Sequence, residues 1–173
     1  YSSKRKVYRA PNWKRIVRSV PRVKYIPRPI EYRKRHYYYK SPRRVEIVWN
    51  VGLYRYYSRI YPHYDLWYYP VGYRIHSIPA YHADSYIGEI ARVYGKVVDV
   101  WYARETDEFY LYIGDLYPFQ DFTIILEGND ARRFSRRPDW FFKDRYLTAT
   151  GLISLYEGKP EMIVKRKNQV DIY

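Results

Sequence analysis

Residues 88–103 read GEIARVYGKVVDVWYA, and the fold is decided there. From Ile90 to Tyr102 β-branched and aromatic residues dominate, a composition suited to a pleated, half-buried surface. Gly95 interrupts the run where a strand can bend or bulge. Toward the C-terminus, Arg104-Glu105-Thr106-Asp107 reads as a polar hairpin loop. A second strand then sets Phe109, Leu111 and Ile113 on one face and Tyr110 and Tyr112 on the other. Past Gly114-Asp115-Leu116-Tyr117-Pro118, a third strand places Phe122, Ile124 and Leu126 on a common face. A helical insertion is predicted over Asp130 to Arg145; it carries Phe134, Trp140 and Phe141, with Pro138 suited to a first helical turn. A fourth strand, Tyr146 to Tyr156, turns through Glu157-Gly158-Lys159-Pro160 into a fifth, Glu161 to Ile172. Val93, Val97, Phe109, Leu111, Ile113, Phe122, Ile124, Leu126, Leu147 and Ile153 form the expected core.

Three strands, a helix and two more strands, the first long and bent at a glycine, are the layout of an OB-fold. The stretches FYLYIGDLYPFQDFTIIL (109–126) and RRFSRRPDWFFKDRYLTATGLISLYEGKPEMIVKRKNQVDIY (132–173) add more specific marks. These are Tyr-Pro-x-Gln-x-Phe-Thr (Tyr117 to Thr123), Thr150-Gly151, and Tyr-x-Gly-x-Pro-Glu (Tyr156 to Glu161). With them, residues 86–173 resemble a bacterial OB-fold domain family, many of whose members look exported and are labelled nucleic-acid binding by analogy of fold. The resemblance implies an all-β domain with one short helix, a five-stranded OB-type barrel over residues 82–173, and a place in the periplasm or outer envelope.

Upstream, residues 45–81 are rich in tyrosine. Val45, Ile47, Trp49 and Val51 alternate with polar or smaller neighbours like a half-buried strand. Leu66-Trp67-Tyr68-Tyr69 and Tyr73 to Ile78 flank Pro70-Val71-Gly72, which suits a tight turn. The expectation is a small tyrosine-rich β-hairpin, loosely like segments of secreted and envelope proteins. Residues 1–44 carry prolines at 11, 21, 27, 29 and 42 and no sustained periodicity, so they read as an extended, polyproline-like basic arm.

The net charge of +14 is concentrated in that arm: residues 1–44 hold 16 Lys+Arg against one acid, residues 45–81 hold 3 against 2, and residues 82–173 hold 13 against 15. The absence of cysteine excludes disulfides, zinc thiolates and a cysteine nucleophile. No stretch of about 18 apolar residues is present to span a membrane as a helix. The chain opens on Tyr1 and its only methionine is Met162, which suggests that a leader was removed or that the sequence was trimmed; the expectation is an extracytoplasmic location after removal of a signal peptide, the alternative being the cytoplasm.

Candidate sites follow from these assignments. On an OB-type face, outward Tyr110 and Tyr112 would stack bases, with Arg92 and Lys96 beside them. Carboxylates in the flanking loops, Glu105, Asp107, Glu108, Glu157 and Glu161, oppose phosphate there. Arg132, Arg133, Arg136 and Arg137 form a basic cluster that could hold an anion or lie solvated and ion-paired. Lys165-Arg166-Lys167 would guard an edge strand. In the arm, Trp13, Arg15, Ile16, Arg18, Arg22, Ile26, Arg33 and Arg35 interleave apolar anchors with cations, the pattern of a segment lying on a partner. His63, His76, His82 and Asp84 have no standard metal spacing. No catalytic or cofactor fingerprint is present. The sequence therefore predicts a non-enzymatic binding or scaffolding subunit with a protein partner and no cofactor, the alternative being a binder of single-stranded nucleic acid or RNA.

Overall fold

The computed structural model describes residues 38–62 and 69–173. The expected partner-binding arm residues, Trp13 to Arg35, lie outside them, as do His63 and Leu66-Trp67-Tyr68.

The described chain is mostly β. Its elements are α1 (Val51–Ile60), β1 (Ser77–Pro79), a 3₁₀ helix (Ala80–Tyr86), β2 (Ile90–Ala103), β3 (Glu108–Ile113), β4 (Phe122–Glu127), α2 (Gly128–Arg132), α3 (Pro138–Phe142), β5 (Tyr146–Leu152), β6 (Ser154–Tyr156), β7 (Lys159–Val164), a 3₁₀ turn (Lys167–Gln169) and β8 (Val170–Ile172). The strands form one mixed eight-stranded sheet in the order β6-β7-β4-β3-β2-β5-β8, with β1 beside β2. β1 and β2 are parallel, as are β4 and β7; the remaining pairs are antiparallel.

In its hydrogen bonding this sheet is open, whereas a closed five-stranded barrel was expected. Two of the expected strands are each cut in two. Strand four breaks at Ile153, whose N–H donates to Glu89 O at 3.0 Å and whose carbonyl accepts from Gly88 N at 2.7 Å, outside either ladder. Strand five breaks after Val164, where the N–H groups of Lys165 and Arg166 donate to Gln169 Oε1 at 2.8 and 2.9 Å. The irregularity in β2 also falls later than Gly95, between Val97 and Asp99. Gly95 answers to crowding: a Cβ there would stand 2.5 Å from Ile113 Cγ2 and 3.0 Å from Tyr39 Cε1.

All ten expected core residues lie in the main buried cluster. Alternation explains it: Phe109, Leu111 and Ile113 on β3 face inward with Phe122, Ile124 and Leu126 on β4 and with Met162 and Val164 on β7. The insertion between β4 and β5 is two short helices where one helical segment was predicted; Pro138 opens the second, and Phe142 is its fully buried residue.

The tyrosine-rich segment departs most from expectation. Ile47 to Trp49 does run antiparallel to Tyr73 to Ile75, with Trp49 N donating to Tyr73 O at 2.7 Å and Ile75 N to Ile47 O at 2.9 Å. The turn over Pro70 to Tyr73 closes with a 3.0 Å bond. Instead of a strand reaching Val51, however, Asn50 caps a helix, its Oδ1 accepting from Leu53 N at 2.9 Å. One side of α1 then buries Tyr57 and Ile60 with Tyr61, Trp49, Ile75, Ile90 and Leu152 in a second cluster. Since Ile90 and Leu152 belong to β2 and β5, this segment packs on the sheet. The expected boundary at 81/82 falls inside the 3₁₀ helix, whose Ala80 and Ala83 lie in the main core.

The end of the arm leans on the sheet as well. Tyr39 packs against the main core and donates to the Asp121 carboxylate. Lys40 O accepts from Tyr173 Oη at 2.5 Å, and Arg43 O accepts from Arg92 Nη1 at 3.4 Å. Residues 38–44, read as the end of an arm that lies on a partner, thus make contacts with the chain's own sheet.

Candidate binding face

The face of β2, β3, β4, β7 and β6 turned away from the main core is laid out by register. One row across it is Asp99, Tyr112, Thr123, Glu161 and Ser154; the next is Trp101, Tyr110, Ile125 and Ile163. The second row, with Tyr112, Tyr117 and Ala103, makes a small apolar cluster of its own.

Tyr110 and Tyr112 are only 4% and 5% exposed, so the stacking platforms expected there are not available. Tyr110 meets Trp101 with ring centroids 5.2 Å apart and donates to Glu108 Oε2 at 2.8 Å. Tyr112 lies against Tyr117, centroids 5.5 Å apart. The rings satisfy one another and the local carboxylate.

Arg92 and Lys96, expected beside those rings, sit on the first half of β2, which pairs with β5 and β1 instead of β3. They are 6% and 7% exposed. Arg92 donates to Arg43 O, and Lys96 Nζ is 3.1 Å from Asp144. Neither is placed to meet a phosphate on the face.

The arginine cluster divides. Arg132 holds the Asp107 carboxylate with both terminal nitrogens, one at 2.9 Å, and reaches Tyr102 Oη at 3.3 Å. The guanidinium draws the Asp107 carboxyl below the usual range, and the same carboxylate raises Arg132. Arg133 stands 3.4 Å from the half-buried Asp130, and Arg137 3.6 Å from Asp139 in a solvated pair. Lys165, just past the end of β7, pairs with Glu127 at the end of β4 at 2.6 Å.

Sequence reasoning missed a buried polar cluster at one end of the face. Gln120, Thr123 and Glu161 are all buried. Gln120 Nε2 donates to Thr123 Oγ1 at 3.3 Å, Ser154 Oγ to Glu161 Oε1 at 3.4 Å, and Gln120 Oε1 has no hydrogen-bond partner. Lys159 Nζ turns into the carbonyls of Pro118 and Gln120. The residues lie in the Tyr117–Thr123 and Tyr156–Glu161 stretches, whose Gln120, Thr123 and Glu161 are the signal for it in the sequence. Among the described residues no group of three or more His, Asp or Glu could hold a metal ion, and no helix is long and apolar enough to cross a membrane.

No protein-family model matches the chain, and no curated protein does. Among solved structures, one from Leishmania major Friedlin described as an aspartyl-tRNA synthetase aligns over 62% of this chain and 22% of that one, at 8% identity and a TM-score of 0.38. At that score the likeness carries no argument about fold or function.

Proposed function

We propose that this protein is a non-enzymatic binding and scaffolding module of OB type, working on a protein partner within a larger, extracytoplasmic assembly. The pairing order supports the OB reading. β2–β3 and β3–β4 are antiparallel, β4–β7 is parallel and β2–β5 is antiparallel. If β5, Ile153 and β6 are taken as one bent strand, that strand pairs with β2 at one end and with β7 at the other, and the five-stranded arrangement follows. The envelope location rests on the resemblance of residues 86–173 to exported OB-fold domains.

The observation that carries the choice of partner is the burial of Tyr110 and Tyr112 on a face whose flanking loops are acidic. A sheet that stacks bases needs accessible rings and cations; this one has covered rings and carboxylates. One observation keeps the nucleic-acid alternative in play: Trp140 on α3 is 73% exposed in a segment that also carries Arg136 and Arg137.

The test is titration of a fluorescent single-stranded oligonucleotide into the full chain over a range of salt. Expected is weak, salt-sensitive binding driven by the arm and unchanged in Tyr110→Leu and Tyr112→Leu. A tight complex weakened by about 1–3 kcal/mol on loss of a ring, at Tyr110, Tyr112 or Trp140, would promote the nucleic-acid reading over the scaffold.

A further inference from the structure

The insertion between β4 and β5 turns its largest side chain outward. Within α3, Pro138 and Phe142 are buried and pin the helix to the core, while Trp140 between them is 73% exposed. Its support is firm: Phe142 lies against Phe134 and Phe141, ring centroids 5.1 Å from each, and Phe141 N donates to Arg137 O at 2.9 Å. Arg136, Arg137 and Arg145 are exposed on the same segment. Arg137 stands 3.6 Å from Asp139, whereas Arg136 pairs with no carboxylate among the described residues. Residues 128–145 hold six Lys+Arg against three Asp, and the rest of residues 82–173 hold seven against twelve. The insertion is thus a positive island on a domain that is otherwise negative.

A large apolar ring, held on a packed support, left in water and flanked by guanidinium groups, has the composition of the centre of a protein interface, where Trp and Arg carry most of the affinity. The charge fixes the sign of what docks. A guanidinium takes a carboxylate through two parallel N–H bonds, and an indole face takes an apolar side chain. Successive bases of a single strand, by contrast, need a series of open rings. Phe134 and Phe141 are half-buried, with Lys167 Nζ and the Arg145 guanidinium 5.1 and 5.6 Å from their centroids, which leaves Trp140 as a lone platform. We propose that Trp140, with Arg136 and Arg137, is a docking surface for the protein partner, and that it takes an acidic segment bearing an apolar side chain for the indole. This rests on the scaffold reading and gives its partner a charge and an anchor.

Selection of random short peptides displayed on phage against the full chain, with subtraction on Trp140→Ala, separates this surface from the basic arm, which both proteins share. Surviving peptides are expected to combine Asp or Glu with Leu, Phe or Trp. A fluorescein-labelled survivor, followed by anisotropy, should bind Trp140→Ala about 30-fold more weakly. Arg136→Gln should weaken it about threefold, the loss of one exposed ion pair, and flatten its salt dependence. Both side chains are exposed, so both variants should melt with the wild type and weaker binding reads the surface and not the fold. No surviving peptide, survivors without acidic residues, or an affinity indifferent to both variants would overturn the proposal. So would Trp140-dependent binding of oligothymidylate or of phosphatidylserine vesicles in place of peptide. Acidic peptides held by the arm alone would sink this surface and leave the scaffold reading standing, whereas a tight oligonucleotide complex dependent on Tyr110 or Tyr112 would count against the scaffold reading alone.

Discussion

Replacing Tyr61 by Phe removes one oxygen atom and tests whether the tyrosine-rich segment and the sheet are one folding unit. Tyr61 Oη donates to Ile163 O at 2.8 Å and accepts from Gln169 Nε2 at 3.0 Å. Gln169 is itself saturated, with its second N–H on Thr150 O at 3.0 Å and its Oε1 taking the Lys165 and Arg166 amides. Phenylalanine keeps the ring packing but leaves a buried carbonyl and a buried amide hydrogen short of a partner. At roughly 1 kcal/mol per net hydrogen bond plus the cost of stranded groups, the loss is about 2–3 kcal/mol. Urea unfolding of the full chain, followed together by tryptophan fluorescence and far-ultraviolet circular dichroism, should show a lower midpoint, an unchanged slope and coincident curves. Gly151→Ala attacks the same centre, since its Cβ would stand 2.5 Å from Tyr61 Oη and 2.9 Å from Gln169 Nε2; combined with Tyr61→Phe it should cost less than the sum, because the clash loses its oxygen. A Tyr61→Phe loss below about 0.5 kcal/mol, or curves that separate, would refute the coupling.

Two further outcomes are expected. Residues 82–173 expressed alone strip Ile90 and Leu152 of Trp49, Tyr57 and Ile75 and delete β1; they should melt earlier and less cooperatively than the full chain, and an unchanged transition would show that residues 45–81 add nothing to the core. Burial raises the phenols of Tyr57 and Tyr69 above their ordinary value, so the folded chain holds those protons more tightly than the unfolded one. Their contribution is complete below about pH 10 and is lost as pH rises beyond it, where melting temperatures should fall; in Tyr57→Phe that alkaline decline should be shallower.

The strands were legible because alternation is local: Phe109, Leu111 and Ile113 declare a face without knowledge of the partner strand. What breaks strands four and five is not local. Ile153 leaves its ladder for Glu89 and Gly88, and the β7–β8 break is held by the side chain of Gln169. Helix α1 was legible and overlooked, since Leu53, Tyr57, Ile60 and Tyr61 follow a helical spacing behind an Asn cap, yet tyrosine content pulled the reading toward strand. The binding face was misread for a related reason. Alternation correctly turned Tyr110 and Tyr112 away from the core, but facing outward is not the same as being exposed, and Trp101 and Tyr117 close over them. Arg92 and Lys96 were placed beside those rings because the sequence does not reveal where β2 changes partners.

Strand β2 gives its first half, Ile90 to Lys96, to β5 and its second, Val97 to Ala103, to β3. One junction closes across a hairpin, Ala103 opposite Glu108; the other waits for Leu152 to come opposite Ile90. Folding therefore has a local step it can take early and a distant one that bears most of the loop-closure entropy. No cut on either side of β2 yields two self-sufficient pieces, because each would need the same strand. A circular permutant has to open where neither junction is touched, and the exposed Glu157-Gly158 turn between β6 and β7 is such a place.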